Sequence, residues 1–246
     1  MNWLLMRGLI REQRHWEHFP SIFAQQLPDS KVFFLDMPGM GTEMDRSSPQ
    51  NIPEIVEDLR SRFQVLREKN PGPWKVMALS FGGMVLLEWT RKYPDDFKTL
   101  VLINSSLSNL SPFYDRMQLP TAVKFLPLFI SDNKQMRERT LLERTTSGRT
   151  PTADIERRWT EIAMPKNKLI PVALAQIKAA MKYKLHEKPK TPVVVLTSKM
   201  DQLASSRCSE RISKFLEAPI RFHDWAGHDL TLEDPLWVCE RVKELA

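Results

Sequence analysis

Short apolar runs alternate along the chain with longer stretches in which apolar positions recur every three or four residues. Trp3 to Met6, Val32 to Leu35, Trp74 to Leu79, Thr99 to Ile103, Pro192 to Thr197 and Ile220 to Phe222 have the near-continuous apolar character of strands buried on both faces. Between the second and third runs, Ile52, Ile55, Val56, Leu59, Phe63 and Leu66 fall on one side of a helix. Near the end, Pro235 at a helix start precedes Val238, Val242 and Leu245, which form another packed face. Strands separated by helices predict an α/β fold, with a mostly parallel sheet of about six strands and helices on both faces. From Ser105 to Lys188 the strand pattern disappears, and four amphipathic helical stretches are expected, broken near Pro120, Pro127, Pro151, Pro165 and Pro171.

One junction between these patterns carries chemistry. In Val76-Met77-Ala78-Leu79-Ser80-Phe81-Gly82-Gly83-Met84, a serine stands between an apolar run and a helical pattern, with small residues two before and two after it. A serine at a sharp strand-to-helix turn has strained backbone angles, and Ala78 and Gly82 avoid collisions where the chain folds back. The hydroxyl then projects from the sheet edge, and the amide of Phe81 and the helix N-terminus face any anion forming on a substrate. Two partners follow at separate strand ends. Asp201 comes after the fifth apolar run in the loop Ser198-Lys199-Met200, and His228 sits on the glycine-containing loop Trp225-Ala226-Gly227-His228-Asp229 after the sixth. His223 is the nearest rival imidazole, but it falls at the end of a strand pattern, while His15, His18 and His186 are expected on helix or cap surfaces.

The order Ser, Asp, His and the elbow resemble the α/β-hydrolases of the lipase and esterase superfamily, from about residue 3 to residue 245. Asp36-Met37-Pro38-Gly39-Met40-Gly41 is similar to that superfamily's D-x-P-G-x-G loop, and Arg7-Gly8-Leu9 to its oxyanion loop. Arg7 departs from the usual histidine there, and Ala78 from the usual glycine. The resemblance implies acyl transfer through an ester on Ser80, with His228 as base and acid, Asp201 orienting it, and the backbone amides of Leu9 and Phe81 as the oxyanion hole. Arg7 is read as holding the oxyanion loop through buried hydrogen bonds, with contact to an anionic substrate as the alternative.

The same resemblance divides the chain into a core of residues 1–107 and 189–246 and a helical cap of residues 108–188 over the carboxyl ends of the strands. Apolar cap residues, among them Phe113, Leu126, Phe129, Leu142, Trp159 and Met164, are candidates for a substrate pocket. The expected substrate is a small-molecule carboxylic ester. Thioester hydrolysis, cleavage of a carbon–carbon bond beside a ketone, and ligand binding without turnover are the alternatives.

Charge adds one feature. The net charge is +6, yet residues 108–188 hold seven Arg and eight Lys against eight acidic residues, an excess of seven, leaving about −1 elsewhere. The chain is similar to pimeloyl-carrier-protein methyl ester esterases, which hold an acidic acyl carrier protein through cap arginines; Arg137, Arg139, Arg144, Arg157 and Arg158 would be the counterparts here. The two cysteines, Cys208 and Cys239, have no metal-like spacing and are read as small apolar residues. No cofactor, metal or nucleic-acid partner is expected. The absence of a membrane-length apolar run and of a secretory leader makes cytoplasmic residence the expectation.

Overall fold

The structure, a computed structural model, describes residues 1–150 and 152–244; Pro151, Leu245, Ala246 and the side chain of Phe129 lie outside the described residues. Each apolar run forms a strand: β1 (Asn2–Met6), β2 (Lys31–Phe34), β3 (Trp74–Leu79), β4 (Leu100–Ile103), β5 (Val193–Ser198) and β6 (Ile220–His223). They pair in the order β2-β1-β3-β4-β5-β6, and every pairing among the described residues is parallel.

Alternation along the strands sorts the core into two layers. Leu4, Met6, Val76, Ala78, Leu100, Leu102 and Val195 face one side; there they meet α2 (Ile52–Lys69), α3 (Phe81–Lys92) and Ile212 of α9 (Ser206–Leu216). Trp3, Leu5, Met77, Leu79, Val101, Ile103 and Leu196 face the other, where α1 (Phe19–Gln26) supplies Phe19 and Phe23 and α11 (Pro235–Lys243) supplies Val238 and Val242. Each fully buried Leu or Phe contributes about 2 kcal/mol relative to exposure, so the period-two pattern strongly selects this register. Asn51 caps α2 by accepting a hydrogen bond from the Glu54 amide at 2.9 Å, and Asp234 caps α11 through the Trp237 amide at 3.0 Å.

Between β4 and β5 the chain forms a single turn, α4 (Phe113–Arg116), then α5 (Leu119–Ile130), α6 (Lys134–Thr145), α7 (Ala153–Ile162) and α8 (Lys166–Lys182). Two expected breaks are not breaks: Pro127 lies inside α5 and Pro171 inside α8. Proline frees the carbonyl four residues back. Both prolines and the residues at those carbonyls, Val123 and Asn167, are exposed, which leaves water to satisfy them. A short turn, α10 (Leu230–Glu233), separates β6 from α11. No helix among the described residues is long and apolar enough to cross a membrane.

Candidate active site

Strand register brings the chemistry to one edge. Leu79 lies opposite Ile103, and Ile103 opposite Leu196, so the residues just beyond β3, β4 and β5 line the carboxyl end of the sheet. Ser80 is the turn between β3 and α3, with φ +56° and ψ −119°. A non-glycine residue in that region carries strain of about 1–3 kcal/mol. Hydrogen bonds offset it: the Ser80 amide donates to Ile103 O at 2.8 Å, while its carbonyl accepts from Gly83 N and Ser105 Oγ, each at 2.9 Å. Gly82 is obligatory here, because a Cβ would lie 2.6 Å from Arg7 O and 3.0 Å from Met6 O.

Asp201 and His228, on the β5 and β6 sides of the edge, meet in a buried contact of 2.6 Å between Oδ2 and Nδ1. The other carboxylate oxygen accepts from the amides of Leu203 and Ala204 at 2.8 and 3.0 Å, which aims Oδ2 at the ring. Asn104, just past β4, donates from Nδ2 to His228 O at 2.8 Å and accepts the Ser198 amide at 2.9 Å, fixing the histidine loop to β5. Asp201 therefore fixes the imidazole with Nδ1 toward the carboxylate and Nε2 away from it. Among the described residues neither Nε2 nor Ser80 Oγ makes a hydrogen bond with protein.

The loop after β1 approaches Ser80 closely enough that a Cβ on Gly8 would lie 3.2 Å from Ser80 Cβ. Phe81 is the first residue of α3, so its N–H has no acceptor within the helix. Ile10, at φ +52°, donates its amide to Gln176 Oε1 of α8 at 2.8 Å, which holds the Gly8-Leu9-Ile10 turn against the insertion.

Arg7 is buried and gives Asp229 two hydrogen bonds, of 3.1 and 2.5 Å, with its guanidinium 4.9 Å from the Trp16 ring centroid. This is the structural role expected of it. Burial by itself would raise the Asp229 carboxyl, but the Arg7 guanidinium, helped by His228 and the Thr231 hydroxyl, outweighs that and holds it below the usual carboxylate range. The pair ties the loop after β1 to the residue next to His228.

His223 is not a competitor: its Nε2 contacts Asp234 at 3.1 Å and its Nδ1 accepts the Ala226 amide at 3.0 Å. His15 is a correction, since it is buried, with its ring centroid 4.9 Å from that of Trp159. Burial, together with Arg11 and Arg7, holds it well below the ordinary histidine range. One member of the arginine group differs from the expectation of an outward-facing patch. Arg137 is 1% exposed and donates to Met164 O at 2.7 Å, so it belongs to the interior of the insertion. Arg139 pairs with Glu156, Arg157 with Asp154 and Arg158 with Glu17, at 2.9, 3.3 and 2.8 Å, while Arg144 donates to Gln202 Oε1 at 3.2 Å. Cys208 and Cys239 are buried and free, as expected.

Sequence patterns missed Asn104, Gln176, Asp229 and Glu233. Glu233 accepts the Gly227 amide at 2.5 Å and the Ser147 amide at 2.9 Å, joining the histidine loop to the insertion. Only Asp229 left a signal, as an acidic residue in an otherwise weakly polar loop. A shallow cleft lined by Ile10, Arg11, His15, Met40, Glu138 and Met164 among others, with internal space of only about 20 Å³, abuts the loop after β1 but does not include Ser80.

A parallel sheet with a strained serine at one strand end and a buried Asp–His pair at two others defines an α/β hydrolase. The family model described as Serine aminopeptidase, S33, matches residues 4–234, and the chain belongs to that family. It is 24% identical over 244 residues to the human monoacylglycerol lipase ABHD6, across 94% of this chain and 71% of that protein. Among solved structures, it is similar to the 2-hydroxy-6-oxo-6-phenylhexa-2,4-dienoate hydrolase of Rhodococcus sp. strain RHA1, with TM-score 0.78 and 19% identity over 99% of this chain and 89% of that one. A thermophilic esterase from Thermogutta terrifontis gives TM-score 0.75 and 19% identity, covering 100% and 89% of the two chains.

Proposed function

We propose that this hydrolase cleaves a carboxylic ester through an acyl-enzyme on Ser80. The supporting observation is the buried 2.6 Å contact between Asp201 and His228, whose loop is pinned by Asn104 next to the strand end that carries Ser80. In this reading His228 Nε2 removes the Ser80 proton as Oγ attacks the acyl carbon. Asp201 keeps the proton on Nδ1 and stabilises the imidazolium. The N–H groups of Leu9 and Phe81 take the developing oxyanion, an effect worth about 3 kcal/mol per donor in such sites. The tetrahedral intermediate collapses, the imidazolium proton passes to the leaving alkoxide, and water repeats the sequence to release the acid. Residues 108–188 act as a cap in this scheme: Gln176 steadies the turn bearing Leu9, and α6 rests on the loop bearing His228.

The test is covalent labelling followed by a substrate panel. A fluorophosphonate should modify the purified chain at Ser80 and leave Ser80→Ala unmodified, and the panel should show turnover of p-nitrophenyl esters above that of an acyl thioester or an aminoacyl anilide. Folded wild-type protein that resists the probe would reject the acyl-enzyme. Preferential thioester or anilide turnover would replace the substrate class and keep the nucleophile.

A further inference from the structure

The insertion presents an apolar face that its own packing does not use. On α5, Thr121 and Leu128 are buried, whereas Leu119, Val123, Leu126 and Ile130 are 60, 64, 61 and 74% exposed. Steps of four, three and four residues put these four side chains in one stripe along the helix. Phe113 and Leu126, expected to line a substrate pocket, both face outward. A single exposed leucine is ordinary, but a continuous stripe of this kind marks an interaction surface.

Charge selects the occupant. α5 contains no acidic residue, and its one charge, Lys124, is exposed beside the stripe. Residues 108–188 also hold the whole positive excess of the chain. Two copies meeting through this face would oppose like-charged insertions. A layer of anionic headgroups over acyl chains complements both the stripe with its Lys124 and the net positive charge of residues 108–188. The start of α5 is bonded to the loop that bears Asp201: Gln118 Nε2 donates to Asp201 O at 2.7 Å and Thr121 Oγ1 to Gln202 O at 2.5 Å.

We propose that the exposed face of α5 docks on an anionic lipid surface, with Val123, Leu126 and their neighbours at the boundary between headgroups and acyl chains and Lys124 among the headgroups. This surface role is independent of the chemistry at Ser80, and its test reads binding without turnover. The full chain is sedimented with phosphatidylcholine vesicles, with and without phosphatidylglycerol, at low and high salt. Wild-type protein is expected to partition onto the phosphatidylglycerol vesicles and to be released by salt. The double variant Val123→Asp, Leu126→Asp should lose at least about tenfold in partitioning at an unchanged melting temperature. Should that variant misfold, Lys124→Glu is expected to weaken binding to the anionic vesicles alone. Failure of wild-type protein to partition, partitioning that ignores phosphatidylglycerol, or undiminished binding by the folded variants would overturn the proposal. So would a wild-type dimer that the double variant converts to monomer.

Discussion

Arg7 and Asp229 are 222 positions apart, and both of their side chains are almost wholly removed from water. Breaking a buried pair from one side leaves an uncompensated charge, which costs about 3–5 kcal/mol. Asp229→Asn is therefore expected to lose about that much in urea unfolding, and Arg7→Lys to lose part of it, because an ammonium keeps the charge but not the two-pronged contact. Asp229 has a depressed folded-state value, so its contribution is present above the ordinary carboxylate value of about 3.9 and disappears as pH falls through the lower folded value. The acid limb of wild-type stability should accordingly be steeper than that of Asp229→Asn. Gly82 makes a similar point about space. In Gly82→Ala the new methyl meets the backbone oxygens of Arg7 and Met6, which cannot rotate away. A loss of activity with little loss of secondary structure, followed by ester hydrolysis and circular dichroism, is the expected outcome.

Among the elements, strands were more legible than the helices over them. Each apolar run became a strand with ends shifted by about one residue. The runs of β1, β3, β4 and β5 are buried almost throughout, whereas the edge strands β2 and β6 are partly exposed, contrary to the burial on both faces expected of them. The α2 stripe was equally clear, with Ile52, Ile55, Val56, Leu59 and Phe63 all buried. Pro127 and Pro171 misled because a proline on an exposed helix face loses one hydrogen bond to water's advantage and need not end the helix. Docking of α6 on the histidine loop has no sequence signature. Its last turn supplies Thr145 O to the Asp229 amide at 2.8 Å, and a Cβ on Gly227 would come within 2.8 Å of the Thr146 carbonyl carbon. Gly227→Ala should thus cost about 1–3 kcal/mol, read as a lowered melting temperature, and, with the next residue, His228, as the proposed base, should reduce turnover further.

At the scale of the molecule, His15 joins the sheet layer to the insertion through its contact with Trp159. Its folded-state value is depressed, so the unfolded chain binds more protons as pH falls below about 6.5. Stability should be complete above that value and decline below it. His15→Phe, which keeps an aromatic ring but cannot titrate, should flatten the melting temperature across the same pH window. The amino-acid order alone determined the six strands, the small-residue elbow around Ser80, and the Asp and His that follow later strands. These features depend on local sterics and on the period of apolar positions, which neighbouring residues carry themselves. Only the tertiary structure decided that Arg7 would meet Asp229, that Arg137 and His15 would be interior, that Asn104 would hold the histidine loop, and that α5 would turn its apolar side outward. Those outcomes depend on which loops and helices come to share a volume, and polar partners hundreds of residues apart leave no periodic trace along the chain.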